Sequence, residues 1–171
     1  MAPQTSDALI ANLKNSRAIV RESLAGITEE DAGKSPGPGR WTVIDCVEHL
    51  TIAEEVTLGR LRNGETLTEP IHLPEREASM AAGVAGRATA LQAPPPALPT
   101  GRFASLAEAI AGYTAARDRT IEFAEAAPNL RMLQVTHPFF GPISGYEFAV
   151  VAASHSLRHA AQICEIREQI K

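Results

Sequence analysis

The sequence predicts an all-α protein, a four-helix bundle of the up-down type with a long crossover between the second and third long helices. Apolar residues recur at three- and four-residue spacings over four long stretches of the 171-residue chain. Capping-box signals open three of these stretches. No stretch alternates apolar and polar residues over enough positions to predict a sheet. Four amphipathic helices can bury their apolar faces against one another, which makes an antiparallel bundle the natural architecture.

Length and composition indicate one ordinary globular domain spanning residues 1–171. The chain is 44% hydrophobic and 21% charged, which is typical of soluble proteins. A net charge of -4 without clusters of Lys and Arg argues against nucleic-acid partners. No apolar run reaches the ~18 residues that cross a bilayer, and no secretory signal is evident, so we expect a cytoplasmic protein without a membrane partner. Two cysteines, Cys46 and Cys164, fit a reducing compartment.

The first helix is predicted from about residue 6 to residue 24. Its apolar residues recur mostly three and four positions apart, and Thr5 or Ser6 can cap its first turn. The loop that follows contains the sequence SPGPGR, which no helix tolerates because of its prolines and glycines.

The second helix is predicted to begin after Thr42 and to end near Asn63-Gly64, a C-terminal stop signal. Thr42 and Asp45 resemble a capping box with Asp in place of the usual Glu. The apolar face of this helix collects five residues, Val43, Val47, Leu50, Leu58 and Leu61.

The middle of the chain, residues 64 to 102, is weakly specified by its sequence. A short helix is compatible with residues 75 to 83. The run PPPALP at residues 94 to 99 predicts an extended connection. This segment supplies the long crossover, as it does in some four-helix bundles.

The third helix is predicted from Ser105 to about Ala126, and the fourth from Ser144 nearly to the C-terminus. Both open with a capping box, in which Glu108 and Glu147 are the partners of the two serines. Between these helices, the sequence MLQVTHPFFGPISG is broken by Pro and Gly, and we expect an ordered loop there.

Two histidines, His155 and His159, lie four residues apart on the fourth helix. At 3.6 residues per turn both imidazoles project from one face, at the centre of its apolar arc. Buried imidazoles need partners, and a metal ion would satisfy both. His49, on the flank of the apolar stripe of the second helix, is a third candidate. Three imidazoles from two helices leave coordination positions open, which is the pattern of a catalytic metal site.

The spacing by itself leaves other interpretations open. His-x-x-x-His often arises by chance, and Gln162, Ser154 or Asp45 could satisfy buried histidines without a metal. Asp45 is also the carboxylate best spaced to hold His49, although its capping position competes for the side chain. Cys46 lies three residues before His49, but a free cysteine is more often a small buried apolar residue than a ligand.

Other residues near these motifs have structural explanations. His137 could line a pocket, although ordering of its own loop is the favoured role, and His72 is expected to be exposed. Glu54 and Glu55 are interpreted as part of a solvated helix face. Three aromatic residues near the start of the fourth helix are interpreted as core and interface packing rather than a pocket mouth: Phe139, Phe140 and Tyr146. Neither a serine triad nor a phosphate-binding loop is recognisable.

Two segments resemble DinB-like proteins, the DinB/YfiT superfamily. GRWTVIDCVEHLTIAEE resembles the second-helix motif of that family, in which a Trp and a capping residue precede a helix with a ligand His. THPFFGPISGYEFAVVAASHSLRHAAQICEI resembles its closing motif, a His-Pro and Gly loop before a helix with His-x-x-x-His and a following Gln. The resemblance covers about residues 37 to 62 and 134 to 168, is weaker at the first helix, and does not extend to the middle segment.

The resemblance implies a four-helix bundle with a long crossover, often a homodimer, and one divalent metal held by His49, His155 and His159. Water or a small-molecule substrate would fill the remaining positions. Zn, Ni and Mn are associated with sites of this family, and imidazole ligands alone do not choose among Zn, Ni and Cu. Known activities in the superfamily include transfer of low-molecular-weight thiols and a thiol-dependent isomerisation, and other members are described as metal-dependent hydrolases.

These observations favour a metal-dependent enzyme, a transferase or a hydrolase, that acts on a small molecule. The metal would be a Lewis acid that ionises water in a hydrolase or a cofactor thiol in a transferase. No carboxylate is evidently placed as a general base, which favours the thiol. One alternative is a non-catalytic, stress-associated dimeric bundle that binds a metal or a ligand. Another is a bundle whose histidines are hydrogen-bonded without metal.

Overall fold

The computed structural model of the chain describes residues 7–87, 92–127 and 129–170. Its helices are α1 (Asp7–Leu24), α2 (Glu29–Ala32), α3 (Val43–Arg62), α4 (Pro74–Ala85), α5 (Leu106–Ala126) and α6 (Gly145–Gln169). Its strands are β1 (Glu65–Thr66), β2 (Leu133–His137) and β3 (Gly141–Ser144). None of the helices in these ranges is long and apolar enough to cross a membrane.

The four long helices, α1, α3, α5 and α6, form the predicted four-helix bundle, with a long connection between α3 and α5. Helix α1 packs against α5 and α6, and α3 packs against the same two helices. The helices α1 and α3 therefore lie across one diagonal of the bundle, and α5 and α6 across the other. In a simple up-down bundle, long helices that follow one another in sequence are neighbours. Here α1 and α3 follow one another but lie on a diagonal, so the structure refines the predicted arrangement. The consequence is that α3 and α6, which carry the three candidate histidines, lie side by side.

The start and end of α3 follow the predicted signals. Thr42 Oγ1 accepts a hydrogen bond from the amide of Asp45 (3.1 Å), and Asp45 Oδ2 accepts one from the amide of Thr42 (2.8 Å). At the other end the side chain of Asn63 donates to the carbonyl of Gly59 (2.7 Å). The predicted inward residues are all buried: Val43, Val47, Leu50, Leu58 and Leu61. The caps predicted for α1 at Thr5 or Ser6 lie outside the described residues.

The capping boxes predicted for α5 and α6 differ in completeness. At α6 the side chains of Ser144 and Glu147 each bond to the other's backbone amide. At α5 the hydroxyl of Ser105 accepts from the amide of Glu108, but the Glu108 carboxylate accepts from the amide of Ala104 instead. The box at α6 is complete and buried, so it fixes the start of the helix that carries two candidate ligands.

The segment between α5 and α6 is a β-hairpin, and the prediction of a loop without strands was wrong. Strands β2 and β3 pair antiparallel with Gln134 opposite Ser144 and His137 opposite Gly141, and β1 pairs with the other side of β2. Strands of two to five residues are too short to show a recognisable alternation of apolar and polar residues. The proline in β3, Pro142, is tolerated because β3 is an edge strand. The helix α2 was not predicted either, because four residues are too few to show a helical repeat.

The crossover contains the short helix that the sequence allowed, now α4, which packs against α6. Arg76 of α4 forms a two-pronged ion pair with Glu147 (2.5 and 2.6 Å), and Arg87, just after α4, forms another with Glu165 (2.7 and 2.6 Å). The proline run is extended except for a single 3-10 turn at Pro95–Ala97. The predicted extended connection is therefore correct only in part.

The core consists of two apolar clusters separated along the bundle by a polar layer. One cluster contains Leu13 and Phe148, and the other contains Val20 and Ile163. The polar layer between them contains Ser16, Glu54, Arg117, Thr120 and Ser156, all buried.

The centre of this polar layer is an ion pair between Arg117 and Glu54. Arg117 also donates to the hydroxyl of Ser156 (2.6 Å) and the carbonyl of Ala152 (3.0 Å), and Thr120 donates to Glu54 (3.0 Å). The interpretation of Glu54 as part of a solvated face was therefore wrong, because this residue faces a buried guanidinium. Glu55, its neighbour, is exposed as expected.

Candidate metal centre

The three predicted histidines come together between α3 and α6. Nε2 of His49 lies 3.1 Å from Nε2 of His155, and Nε2 of His159 lies 3.0 Å from the same atom. The candidate ligand atoms of the three residues all lie within 4.8 Å of one another. Both short contacts join ring nitrogens, so the three imidazoles point at a common position rather than merely sharing a face.

The local fold explains this convergence. His155 and His159 lie one turn apart on α6. The apolar residues predicted on the same arc of α6 are buried: Phe148, Val151, Ala152, Ile163 and Ile166. Helix α3 places His49 opposite the histidine pair, and the ring of Trp41 packs 4.9 Å from the ring of His49 and 6.1 Å from that of His159, measured between centroids. His49 and His159 are buried, whereas His155 keeps some exposure.

The electrostatic environment keeps all three imidazoles neutral near pH 7. Burial, reinforced by His49 and by Arg117 and Arg158, lowers the pKa of His155 to about 3. Burial and the two neighbouring imidazoles hold the pKa of His159 well below its usual value, against a smaller opposing effect of Gln162. Burial also lowers the pKa of His49. Neutral imidazoles have the lone pairs that metal ligation requires.

The tautomer of His49 follows from its second ring nitrogen. Nδ1 of His49 lies 2.7 Å from the carbonyl oxygen of Ala97. Since a carbonyl can only accept, Nδ1 carries the hydrogen and Nε2 presents a lone pair to the other imidazoles. Metal-binding histidines commonly use a backbone carbonyl in this way.

Hydrogen bonding alone does not satisfy this cluster. Nε2 of His155 contacts Nε2 of both His49 and His159, and one hydrogen cannot lie along both contacts. If Nε2 of His155 donates its hydrogen to His49, no hydrogen lies between His155 and His159. If Nε2 of His155 instead accepts a hydrogen from His159, the lone pairs of His155 and His49 face each other. Nδ1 of His159 is also buried without a hydrogen-bond partner among the described residues. A cation shared by three lone pairs resolves the conflict at Nε2, so the donor set fits a divalent metal.

Two residues considered as partners of the histidines have other roles. The Asp45 carboxylate is held by the cap of α3, and His49 uses Ala97 instead. Cys46 is buried, and burial raises the pKa of its thiol to about 12, so the thiolate that a metal requires is disfavoured. Cys164 and His72 are exposed.

One residue of the hairpin orders its turn, and two others are exposed. Nδ1 of His137 accepts from the amides of Phe139 (3.1 Å) and Phe140 (3.4 Å), so this histidine orders its own turn, the favoured expectation. Phe139 and Phe140 are exposed, so the prediction that they pack in the core was wrong because the hairpin turn carries them outward, and packing at an interface stays a prediction. Tyr146 does pack, with the guanidinium of Arg131 3.5 Å above its ring.

Sequence reasoning missed the backbone carbonyl that binds His49 and the role of Glu48 beside it. Ala97 accepts the hydrogen bond from His49, and Glu48 binds the segment that follows Ala97. Both contacts join residues about fifty positions apart, across a segment whose sequence specifies little. The nearest signal was Glu48 itself, an acidic residue beside a candidate ligand.

Known proteins resemble this chain in both sequence and fold. The sequence matches the family model of the DinB superfamily over residues 12–163. The fold is similar to that of YfiT from Bacillus subtilis, described as a probable metal-dependent hydrolase with an unusual four-helix bundle topology (18% identity, TM-score 0.63, 98% of this chain and 92% of that one). It is also similar to TT2238, a four-helix bundle protein (21% identity, TM-score 0.61, 91% and 95% coverage).

No curated protein sequence matches the chain. At these identities the two solved structures show the fold alone, whereas the family model spans most of the sequence and includes all three histidines. The chain belongs to the DinB superfamily.

Proposed function

We propose that this protein is a metal-dependent enzyme in which His49, His155 and His159 hold one divalent metal ion, with Zn, Ni and Mn as the candidates. The convergence of three neutral ring nitrogens on one position carries the proposal. Within the described residues no carboxylate or thiol joins the group, so protein ligands would leave coordination positions open. Open three-ligand sites are characteristic of catalytic metals, whereas structural sites are closed by four protein ligands.

Access to the proposed site follows from the burial of its ligands. Trp41 packs on His49 and His159, and both of these histidines are buried. His155 is the most exposed of the three. A small molecule would therefore approach on the side of His155, and the Trp41 side would exclude water.

We further propose that the nucleophile is a low-molecular-weight thiol and the reaction a thiol transfer. Among the described residues, the group of candidate ligand atoms contains three histidines and no carboxylate. In many metal-dependent hydrolases a carboxylate or histidine in hydrogen-bond reach takes the proton from the metal-bound water. A thiol, with a pKa near 8.5, ionises more readily. The bound metal would supply a Lewis acid that favours the deprotonated nucleophile.

Hydrolysis is the second candidate reaction. The fold similarity to YfiT, described as a probable metal-dependent hydrolase, favours it. The two reactions share the same ligands and differ in the nucleophile. A test of thiol binding therefore separates them.

Metal analysis tests the proposed ligands. Purified protein, stripped and then loaded with Zn, Ni or Mn, is expected to retain about one equivalent of metal after gel filtration. His49→Ala and His155→Ala should lose this metal. His72→Ala, which removes an exposed histidine, is the matched control and should retain it. Equal metal contents in the wild type and both ligand variants would refute the proposed site.

Spectroscopy of a cobalt-loaded protein tests the nucleophile. Titration with a low-molecular-weight thiol should produce a sulfur-to-cobalt charge-transfer band that saturates, and Cys46→Ser should give the same band because Cys46 is buried away from the ligand group. Thiol-transfer and ester- or amide-hydrolysis assays follow on the same sample. Saturation by thiol together with transfer supports the transferase, and hydrolysis without thiol binding supports the hydrolase.

A third result would support the non-catalytic alternative. A metal that binds tightly but accepts neither thiol nor other small ligands would indicate a structural role in the bundle. The homodimer, the cytoplasmic location and the small-molecule substrate stay predictions, and sedimentation equilibrium tests the first of them.

A further inference from the structure

Residues 97–102, here called the strap, lie near the end of the connection between α4 and α5 and contact α3. The strap contacts two consecutive residues of α3. Its first residue, Ala97, accepts the hydrogen bond from Nδ1 of His49, and its last three residues surround the carboxylate of Glu48. A candidate metal ligand and its neighbour in sequence are thus held by the same short segment.

Glu48 is a fully buried carboxylate, with 0% of its surface exposed. Its Oε1 accepts from the amide (2.6 Å) and the hydroxyl (3.0 Å) of Thr100, and its Oε2 accepts from the amides of Gly101 (3.2 Å) and Arg102 (3.0 Å). Burial of a carboxylate is costly unless hydrogen bonds satisfy it, and hydrogen bonds to a charged acceptor are stronger than neutral ones. Four donors from three consecutive residues therefore make Glu48 a firm anchor for the strap.

The backbone of the strap is shaped for this anchor. Gly101 has a φ of 80°, a conformation that side chains other than glycine rarely adopt. Three successive amides of the strap, those of Thr100, Gly101 and Arg102, point at one carboxylate. Both the glycine at position 101 and the backbone conformation of the strap therefore favour the contact with Glu48.

The anchor has a consequence for His49. Ala97 lies only three residues before Thr100, so fixing Thr100 limits where the carbonyl of Ala97 can lie. That carbonyl assigns the hydrogen of His49 to Nδ1 and leaves the lone pair on Nε2, the atom that faces His155 at 3.1 Å. Without the carbonyl, a neutral imidazole can place its hydrogen on either nitrogen.

We propose that Glu48 is a positioning residue for His49: by anchoring the strap it holds the Ala97 carbonyl that selects the tautomer of His49 able to bind a metal. The effect on metal affinity rests on the metal site proposed above. The effect on the tautomer does not, because it concerns the metal-free protein.

The variant Glu48→Gln tests the proposal. Its side chain has almost the same shape, but an NH2 group replaces one acceptor and faces backbone amides that also donate. Glu55→Gln is the matched control, since Glu55 lies on the same helix and bonds Arg102 of the strap only through exposed side chains (2.9 Å). Long-range 1H–15N spectra of the imidazoles report the tautomer of His49, and competition with a chromophoric chelator reports Zn²⁺ affinity.

In the metal-free wild type and in Glu55→Gln, His49 should be the Nδ1–H tautomer. In Glu48→Gln its spectrum should shift toward the Nε2–H tautomer, and Zn²⁺ affinity should fall by about 10- to 100-fold, as for other groups that orient a ligand histidine. Thr100→Val, which removes one hydroxyl donor to Glu48, should give a smaller change in the same direction and provides the test if Glu48→Gln does not fold.

The possible failures are distinguishable. If Glu48→Gln, or Thr100→Val in its place, keeps the Nδ1–H tautomer and the wild-type Zn²⁺ affinity, the positioning role is wrong while the metal site stands. If the wild type binds no Zn²⁺ through its histidines, the proposed function fails, and the tautomer spectra still decide the role of Glu48. A lower melting temperature with an unchanged tautomer would show that Glu48 is merely structural.

Discussion

Nη2 of Arg117 lies 2.7 Å from Oε1 of Glu54 at the middle of the bundle, and neither side chain is more than 2% exposed. The pair joins α5 to α3 between the two apolar clusters. Burial raises the pKa of Glu54, and Arg117 opposes that rise. Arg117 and the hydrogen bond from Thr120 therefore both favour the charged form of this buried carboxylate.

Replacement of Arg117 should destabilise the protein strongly. Arg117→Met leaves the Glu54 carboxylate buried without its cation, and loss of one partner from a buried pair costs about 3–5 kcal/mol. Lys14→Met, which breaks the exposed pair with Glu125, should cost less than about 1 kcal/mol. Urea unfolding at pH 7 measures both, and similar losses for the two variants would contradict a buried pair.

The same variant should respond to pH in a defined direction. Without Arg117, the pKa of Glu54 in the folded state rises further above its unfolded value. A carboxyl whose folded pKa is raised stabilises the protein below its unfolded pKa, and this contribution is lost as pH rises through the folded pKa. The stability deficit of Arg117→Met relative to the wild type should therefore shrink from pH 7 toward pH 5, and a deficit independent of pH would contradict this assignment.

The contact between α4 and α6 predicts a loss of stability in acid. Burial tends to raise the pKa of Glu147, but hydrogen bonds from Arg76 and Ser144 outweigh burial and lower it. A lowered folded pKa gives stability that is present above the unfolded pKa and is lost as pH falls through the folded pKa. Arg76→Met should therefore weaken the decline in urea midpoint below about pH 5, where unperturbed glutamates titrate, whereas Arg21→Met, at an exposed arginine of α1, should leave the decline unchanged.

The two cysteines should differ in reactivity. Cys46 is buried, and burial raises the pKa of its thiol to about 12, whereas Cys164 is exposed. Iodoacetamide at pH 8 should therefore modify one cysteine in the native protein and two in urea, as counted by mass spectrometry. Native Cys164→Ser should remain unmodified, and labelling of that variant would show that Cys46 is accessible.

Two helical glycines should respond oppositely to alanine. A Cβ at Gly59 of α3 meets no atom within 4 Å, so Gly59→Ala should stabilise the protein by about 0.5–1 kcal/mol through helix propensity. A Cβ at Gly112 of α5 would lie 2.5 Å from the ring of Phe103, which must then move. Gly112→Ala should show no such gain in thermal unfolding, and equal stabilisation of both variants would contradict this packing.

The local signals were sufficient to predict the four long helices. Thr42 and Ser144 cap α3 and α6 as their sequences predict, because a cap involves residues only three positions apart. The histidine pair on α6 follows from helix geometry in the same way. The residues on one helix face can be read from sequence because helical spacing is regular.

The remaining features depend on distant contacts. The diagonal placement of α1 and α3 follows from how all four helices pack, and no local pattern specifies it. Glu54 was misjudged because its partner, Arg117, comes from another helix. Ala97 could not be predicted as the partner of His49, since the hydrogen bond uses a backbone carbonyl and any residue can supply one.

The contact between His49 and His155 also closes a long loop of the chain. Their ring nitrogens are 3.1 Å apart, and 106 positions separate them in sequence. A crosslink that closes a loop of this length is worth about 4.7 kcal/mol in chain entropy when it is covalent. A metal held there is a reversible crosslink, whose contribution follows the free metal concentration relative to its dissociation constant. The lifetime of the folded protein would then depend on the metal supply of the cell, so that metal starvation would deplete the protein itself and not only its activity.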